Sequence, residues 1–279
     1  MPELPEVETM RRGIAVLTGR RIVDVRRTVC RRKPIAITPR IDHFRRRSVG
    51  QVIDQIGRVG KRIVLQLGNN DRIVIEPRMT GLVLLAVPPT QQHLRFCITL
   101  AGRQPRELLF WDRRGLGTVR LFSPEEFTAA LGPDRLGPDA LQISAEVLRE
   151  RLASSRRAIK VALLDQRAVA GVGNLYASEL LHLAGVHPAT RCDRLRVKDW
   201  PAIHGAMVKI LRAAIRHEGS TLSDGTYRNA LNQDGGYQNY HRVYDREGEP
   251  CTTCDDALVT RIVQSQRSTF LCRKCQRRR

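Results

Sequence analysis

The chain has 279 residues, with 48 Lys and Arg against 28 Asp and Glu, a net charge of +20 and a pI near 10.8. That length suits two modest domains, each with its own core. The charge calls for a polyanionic partner, most simply nucleic acid, with an anionic membrane surface as the weaker alternative. No apolar run approaches a membrane span and no signal-peptide pattern opens the chain, so a soluble, intracellular protein is expected.

Pro2, Glu3 and Pro5 open the first element. Val7, Met10, Ile14 and Leu17 fall at helical spacing, which predicts an amphipathic helix over 3–18 with Gly19 as its stop. On the residues alone two readings stand. Proline and acids suit a helix start. Proline at position two also permits removal of the initiator methionine, leaving a secondary amine able to form an iminium, with Glu3 beside it as an acid or base. From Arg20 to Arg47 the chain is rich in arginine and has only Asp24 and Asp42 as acids, which reads as a functional basic run.

Short β-rich runs follow at Ile22–Val25, Val49–Ile56, Ile63–Leu67, Ile73–Glu76, Leu82–Val87, Leu94–Leu100, Leu108–Trp111 and Thr118–Phe122. Turn residues between most of them predict an antiparallel sandwich or barrel. Ser123-Pro124-Glu125-Glu126 predicts a capped helix. Two Gly-Pro breaks within 131–139 mark a domain boundary. Beyond it the periodicity is helical: a helix capped by Ser144, another over 156–166, one entered through Gly171-Val172-Gly173-Asn174, and a long one after Asp199. Residues 219–240 are polar and glycine-rich, which predicts a functional loop.

Cys251-x2-Cys254-x17-Cys272-x2-Cys275 is the strongest motif. Two thiolate pairs at that spacing predict a closed, four-sulfur zinc site that is structural, not catalytic. Arg261, Arg267, Arg273, Lys274, Arg277, Arg278 and Arg279 make this ribbon wholly basic after Asp256. The glycine turn at 171–173, with Asn174 and the nearby Arg156, Arg157 and Lys160, reads as a phosphate clamp.

Met1-Pro2-Glu3-Leu4-Pro5-Glu6-Val7-Glu8-Thr9, Gly171 through Glu179, and Gly248-Glu249-Pro250-Cys251 with Gln266-Arg267-Ser268-Thr269-Phe270 resemble the bacterial formamidopyrimidine-DNA glycosylase family, in order along the whole chain. The resemblance selects the nucleophile reading of Pro2. It implies an α+β multidomain protein: an N-terminal antiparallel β-sandwich with the catalytic helix (1–135), a helix–two-turns–helix domain with a lesion-recognition loop (136–240) and a four-cysteine zinc-finger hairpin (241–279), with DNA in the cleft between. It implies one structural zinc ion on Cys251, Cys254, Cys272 and Cys275. It also implies a monomeric, cytoplasmic, nucleoid-associated bacterial repair enzyme. That enzyme would be a bifunctional glycosylase and abasic-site lyase acting on double-stranded DNA that contains oxidised purines or abasic sites.

The implied roles are specific. Pro2 would be the nucleophile, Glu3 the acid that assists sugar-ring opening, Lys61 a proton donor on the lesion's phosphate, and Arg267 an aid to the second elimination. Glu6, His93, Arg156, Lys160 and Asn174 would contact DNA. Met79 would fill the space left by the flipped base, with Arg114 on the orphaned partner and Leu116 as wedge. Without the resemblance, Lys61 is a solvated strand-end lysine, His93 a polar strand residue and Met79 a core methionine. The family pattern Asp-Pro-Arg-Arg/Lys-Phe-Gly becomes Asp112-Arg113-Arg114-Gly115-Leu116-Gly117, so a basic residue is replaced by Gly115 and the aromatic wedge by Leu116. Two competing expectations are an endonuclease VIII-like enzyme for oxidised pyrimidines and a non-catalytic zinc-ribbon DNA binder.

Overall fold

The structure is a computed structural model that describes residues 2–30 and 33–278. Met1, whose removal the Pro2 reading requires, and Arg279 of the basic tail lie outside the described residues. The chain divides into two compact units: 1–132 with 217–236, and 133–216 with 237–279.

The first unit begins with α1 (Leu4–Gly13), continued by a 3-10 turn at Ala15–Leu17. Val7, Met10, Ile14 and Leu17 are all fully buried, as their spacing requires. Then come β1 (Ile22–Arg27), β2 (Ala36–Thr38), α2 (Ile41–Ser48), β3 (Ile53–Val59), β4 (Arg62–Leu67), β5 (Arg72–Glu76) and β6 (Gly81–Leu84). β7 (Leu94–Leu100), β8 (Glu107–Asp112), β9 (Thr118–Phe122) and α3 (Pro124–Leu131) complete it. One sheet has the order β1-β7-β8-β6, the other β2-β9-β5-β4-β3, and all pairs are antiparallel except β2 with β9. The inward residues of both sheets and the apolar face of α1 form one core.

Three expectations change. β2 and α2 lie inside the arginine-rich run, where charge hides the pattern. α2 buries only Phe44 and Ser48. Several arginines of that run are paired, Arg26 with Glu107 at 2.7 Å, Arg45 with Asp24 at 2.8 Å and Arg47 with Asp71 at 2.8 Å, so the run is not uniformly free for a polyanion. The third concerns 219–240. Residues 217–236 pack with the first unit, whereas the resemblance groups them with the helical domain. The close approach is visible at Gly13, where a Cβ would stand 2.4 Å from the Ala230 side chain, and at Leu85, whose amide donates to the Ala230 carbonyl at 2.8 Å.

The second unit holds α4 (Ala145–Leu152), α5 (Ile159–Leu163), α6 (Asn174–Leu183), α7 (Asp199–Arg216) and the hairpin β10 (Val259–Gln264) with β11 (Arg267–Cys272). α6 is buried on every side from Leu175 to His182, which makes it the central helix of this unit. Its Glu179, fully buried, accepts the backbone amides of Arg242, Val243 and Tyr244 at 2.8–3.1 Å and so fixes the chain leading into the hairpin. Burial pushes the Glu179 carboxyl up, against those three amides, which favour its anion. No helix among the described residues is long and apolar enough to cross a membrane.

Candidate active site and nucleic-acid-binding residues

α1 presents its N-terminal tip as a built site. Pro2 is buried, and Glu3 and Glu6 are each 2 % exposed. Glu3 occupies the N-cap, and its amide donates to Glu6 Oε2 at 2.9 Å. The other oxygen, Glu6 Oε1, accepts the Ser220 amide at 2.9 Å. One carboxylate therefore joins the Pro2 tip to a residue 214 positions away. Gly219 makes room for this, with φ +80° and an ideal Cβ only 2.9 Å from Glu6 Oε1. Tyr227 closes the arrangement by donating to the Glu218 carbonyl at 2.9 Å. Its burial, with Glu6 adjacent, pushes its phenol well above the ordinary range, so it remains a donor.

Lys61 is half-buried in the two-residue turn between β3 and β4, where Gly60 takes φ +56°. Arg58 bolts that turn to α1: its guanidinium donates to the Gly60 carbonyl at 2.8 Å and to Glu8 at 3.2 Å. Burial alone would raise Glu8, but the hydrogen bonds of Arg11 and Arg12 and the charges of Arg11 and Arg58 outweigh it and hold the carboxyl low. Arg58 carries no motif, and Glu8 stands in the N-terminal motif without an assigned role, so sequence reasoning missed this link.

The 112–117 loop is organised by a buried acid. Asp112 is fully buried and accepts from Thr80 Oγ1, from the Arg114 amide at 3.2 Å and from the Gly117 amide at 2.8 Å. Arg114 is exposed and reaches Met79 Sδ at 3.3 Å, so the two residues expected at the orphaned base are neighbours. Met79 is 38 % exposed, not a core methionine. Leu116 is half-buried beside them. Gly115 is a backbone requirement here: φ is +62° and a Cβ would stand 2.4 Å from the Lys33 carbonyl oxygen. His93 is 6 % exposed and sits edge-on to Trp111 at 5.4 Å.

In the second unit, Arg156 is exposed but Lys160 is 1 % exposed. Its ammonium donates to Asn174 Oδ1 at 2.7 Å, the Ser268 carbonyl at 3.1 Å and Thr269 Oγ1 at 2.6 Å. These acceptors turn the ammonium toward Asn174 and β11, an arrangement that suits positioning of Asn174. Asn174 Nδ2 also donates to the Ser268 carbonyl at 3.0 Å. Arg267, exposed, begins β11 one residue earlier, after a two-residue turn in which Ser265 and Gln266 both have positive φ.

The four cysteine sulfurs lie within 4.8 Å of one another, with Cys251–Cys275 at 3.8 Å and Cys254–Cys272 at 3.7 Å. A tetrahedron with Zn–S bonds of about 2.3 Å has edges of about 3.8 Å, so the donors fit a zinc ion. Burial raises the Cys251 thiol, but the amides of Thr253 and Cys254 and the neighbouring sulfurs bring it down, whereas burial raises Cys272 and Cys275, so these thiols share their protons until a cation takes their place. Gln276, fully buried, braces the site by accepting the Cys272 amide at 3.0 Å and donating to the Val186 carbonyl at 2.9 Å.

Comparison with known proteins decides the family. The sequence profile "Formamidopyrimidine-DNA glycosylase N-terminal domain" matches residues 1–119, and "Formamidopyrimidine-DNA glycosylase H2TH domain" matches 131–226. The chain belongs to the formamidopyrimidine-DNA glycosylase family. Among similar members, the formamidopyrimidine-DNA glycosylase of Chloroflexus aggregans is 40% identical over 99% of this chain and 98% of its own length. That of Bacillus subtilis is 37% identical over 99% of each. The solved complex of the Lactococcus lactis enzyme with DNA containing an abasic site is 30% identical, with a TM-score of 0.88 over 99% of this chain and 100% of that one. The wild-type L. lactis protein with DNA containing N7-benzyl-Fapy-dG is 31% identical, also at a TM-score of 0.88 over 99% and 100% of the two chains. The two-domain fold and the four-cysteine hairpin are those of the formamidopyrimidine-DNA glycosylases, and the protein is a DNA-binding glycosylase of DNA repair.

Proposed function

We propose that this glycosylase excises oxidised purines, 8-oxoguanine and formamidopyrimidines, from duplex DNA and then cleaves the strand through a covalent adduct on Pro2. The observation that carries the reading is the α1 tip, where Pro2 and Glu3 stand on a helix with a fully buried face and Glu6 fixes the next segment against them. The DNA sites named in the complexes of the L. lactis relative, an abasic site and N7-benzyl-Fapy-dG, support the substrate class.

A stacked nucleotide hides C1′, so the lesion leaves the stack at a cost of a few kcal/mol. Met79, Arg114 and Leu116 fill and read the gap. The secondary amine of Pro2, free once Met1 is removed, attacks C1′. The C1′–N bond to the base breaks and the base leaves with a proton. Glu3 assists opening of the sugar ring, which leaves an iminium between Pro2 nitrogen and C1′. That cation acidifies C2′–H. Loss of the proton expels the 3′ phosphate, and a second elimination, aided by Arg267, expels the 5′ phosphate. Lys61 supplies a proton and holds the lesion's phosphate. Arg156 contacts the backbone, while Lys160 holds Asn174 for its contact. The product is a one-nucleotide gap with phosphates on both ends. A zinc ion on Cys251, Cys254, Cys272 and Cys275 would hold the hairpin folded and take no part in the reaction.

Borohydride trapping tests this. Reduction on 8-oxoguanine duplex should link protein to DNA through residue 2, and Pro2→Gly or retention of Met1 should cut the yield sharply. A normal yield from protein shown by intact mass to keep Met1 would remove Pro2 from the mechanism. Thymine-glycol duplex, assayed beside it, should be the poorer substrate; the reverse order would favour the pyrimidine-lesion reading.

A further inference from the structure

The 112–117 loop and the 217–236 segment belong to the same unit, and one side chain joins them. Arg113 Nη2 donates to Thr226 Oγ1 at 2.8 Å and lies 3.8 Å from the Asp224 carboxylate. Thr226 is 5 % exposed, and its hydroxyl is oriented by the Asp224 carbonyl at 3.3 Å while its amide donates to Asp224 Oδ1 at 3.0 Å. The hydrogen bond to a buried, oriented hydroxyl is the stronger element. The ion pair is long and half-exposed on both sides, so it adds little.

Both ends of this link are anchored. On the loop side, the buried Arg95 donates to the Asp112 carbonyl at 2.8 Å and to the Arg113 carbonyl at 3.4 Å, so the backbone that carries Arg113 and Arg114 is held from inside the sandwich. On the segment side, the Ser220 amide donates to Glu6 Oε1 at 2.9 Å and the Tyr227 hydroxyl reaches the Glu6 carbonyl at 3.5 Å, which ties the chain to α1 beside Pro2. Arg113 thus stands between the residue next to it, Arg114, and a segment fixed to the nucleophile's helix. The pattern Asp-Pro-Arg-Arg/Lys-Phe-Gly has a proline at this position, which has no donor to make such a bond.

We propose that Arg113 is a positioning residue that couples the loop facing the orphaned base to the 217–236 segment tied to the Pro2 helix, so that the contact Arg114 makes with the orphaned base alters how firmly the lesion is held. The proposal rests on the reading that Arg114 meets the orphaned base. A coupling of this kind is a free energy shared by two sites through one contiguous contact, and it is measurable as non-additivity.

The experiment is single-turnover excision of 8-oxoguanine opposite cytosine by wild type, Thr226→Val, Arg114→Ala and their double variant, repeated with Arg113→Ala in every member. Thr226→Val and Arg113→Ala should each slow excision about fivefold, with thermal unfolding close to wild type. Thr226→Ser, which restores the acceptor, should recover the rate. Strand cleavage at a preformed abasic site, which has no base to hold, should change less than twofold. Arg114→Ala and Thr226→Val should combine to a rate at least threefold away from the product of their separate effects, and that excess should vanish in the Arg113→Ala set. Simple multiplication of the two effects, or an excess that persists without Arg113, would overturn the coupling. If wild type shows neither excision nor borohydride trapping on this duplex, the glycosylase–lyase reading itself fails, and the coupling with it.

Discussion

The four-cysteine hairpin and the α1 tip are both small polar sites, yet they are assembled over very different stretches of chain. Cys251 and Cys275 are 24 positions apart, and the ligand pairs sit on one hairpin. Glu6 and Ser220 are 214 positions apart and meet only because the 217–236 segment returns to the first unit. A metal site of the first kind is set by local spacing, because turn geometry brings the sulfurs together. A site of the second kind depends on packing between distant segments. The difference teaches where a single substitution will act: locally on the hairpin, and on the tip from the far side of a segment that no motif marks.

The largest test of the comparison is Cys254→Ser. Among the described residues the hairpin's own apolar cluster is small, with Val243, Val259 and Phe270 buried and Tyr244 packed beside them. Loss of one ligand should therefore cost the metal, the hairpin's order and most lesion-DNA affinity together. The sandwich should remain folded, because its core is separate. Metal content, amide exchange of β10 and β11, and DNA binding on the same preparation check this. Undiminished binding by a zinc-free variant would take the hairpin out of the DNA-binding surface.

Gly219→Ala breaks the other side of the comparison, and the fold supplies its own control. Gly19 and Gly219 take nearly the same φ, +83° and +80°, but a Cβ on Gly19 meets nothing within 4 Å whereas one on Gly219 meets Glu6 Oε1 at 2.9 Å and Tyr227 Cε1 at 3.0 Å. Both substitutions bear the left-handed penalty of about 1–2 kcal/mol. Only Gly219→Ala must also move Glu6, whose two oxygens are engaged. We expect excision of 8-oxoguanine to fall about tenfold for Gly219→Ala, a loss of about 1.4 kcal/mol at the barrier, and to stay near wild type for Gly19→Ala. Equal losses for both would mean that strain alone, not Glu6, connects residue 219 to the reaction.

What is legible in the sequence follows the same division. The face of α1, most strands of the sandwich, the capping box at Ser123 and the cysteine spacing are periodic or local, and the structure has them where their patterns place them. β2 and α2 are hidden because α2 buries only Phe44 and Ser48 beneath a shell of arginines. The return of 217–236 is hidden because its contacts run through backbone amides, a glycine and one tyrosine, none of which has a period. Arg95 reads as one more strand arginine, although its guanidinium is buried against the 112–117 backbone. Gly115 reads as a lost basic residue; its φ of +62° and the Lys33 carbonyl show that glycine is what the loop geometry admits.

The smallest expected effect separates two basic residues that the sequence treats alike. The sequence pattern groups Arg156 and Lys160 as one clamp, but Arg156 is exposed while Lys160 is sealed beneath Asn174, Ser268 and Thr269. Arg156→Ala removes an exposed charge. It should leave stability within about 0.5 kcal/mol and reduce the slope of log affinity against log salt by about 1. Lys160→Met keeps the aliphatic stem but leaves Asn174 Oδ1 and Thr269 Oγ1 without this donor and the Ser268 carbonyl with Asn174 Nδ2 alone, which should cost on the order of 3 kcal/mol. Its salt slope should barely move, because the ammonium neutralises no phosphate. The loss in DNA affinity should instead come from a displaced Asn174 and a looser β11, where Arg267 sits. Thermal melts and salt titrations of the two variants, run side by side, read both effects. If Lys160→Met melts like wild type and lowers the slope as much as Arg156→Ala, the ammonium reaches phosphate after all, and the hairpin stands on its four cysteines without help from α5.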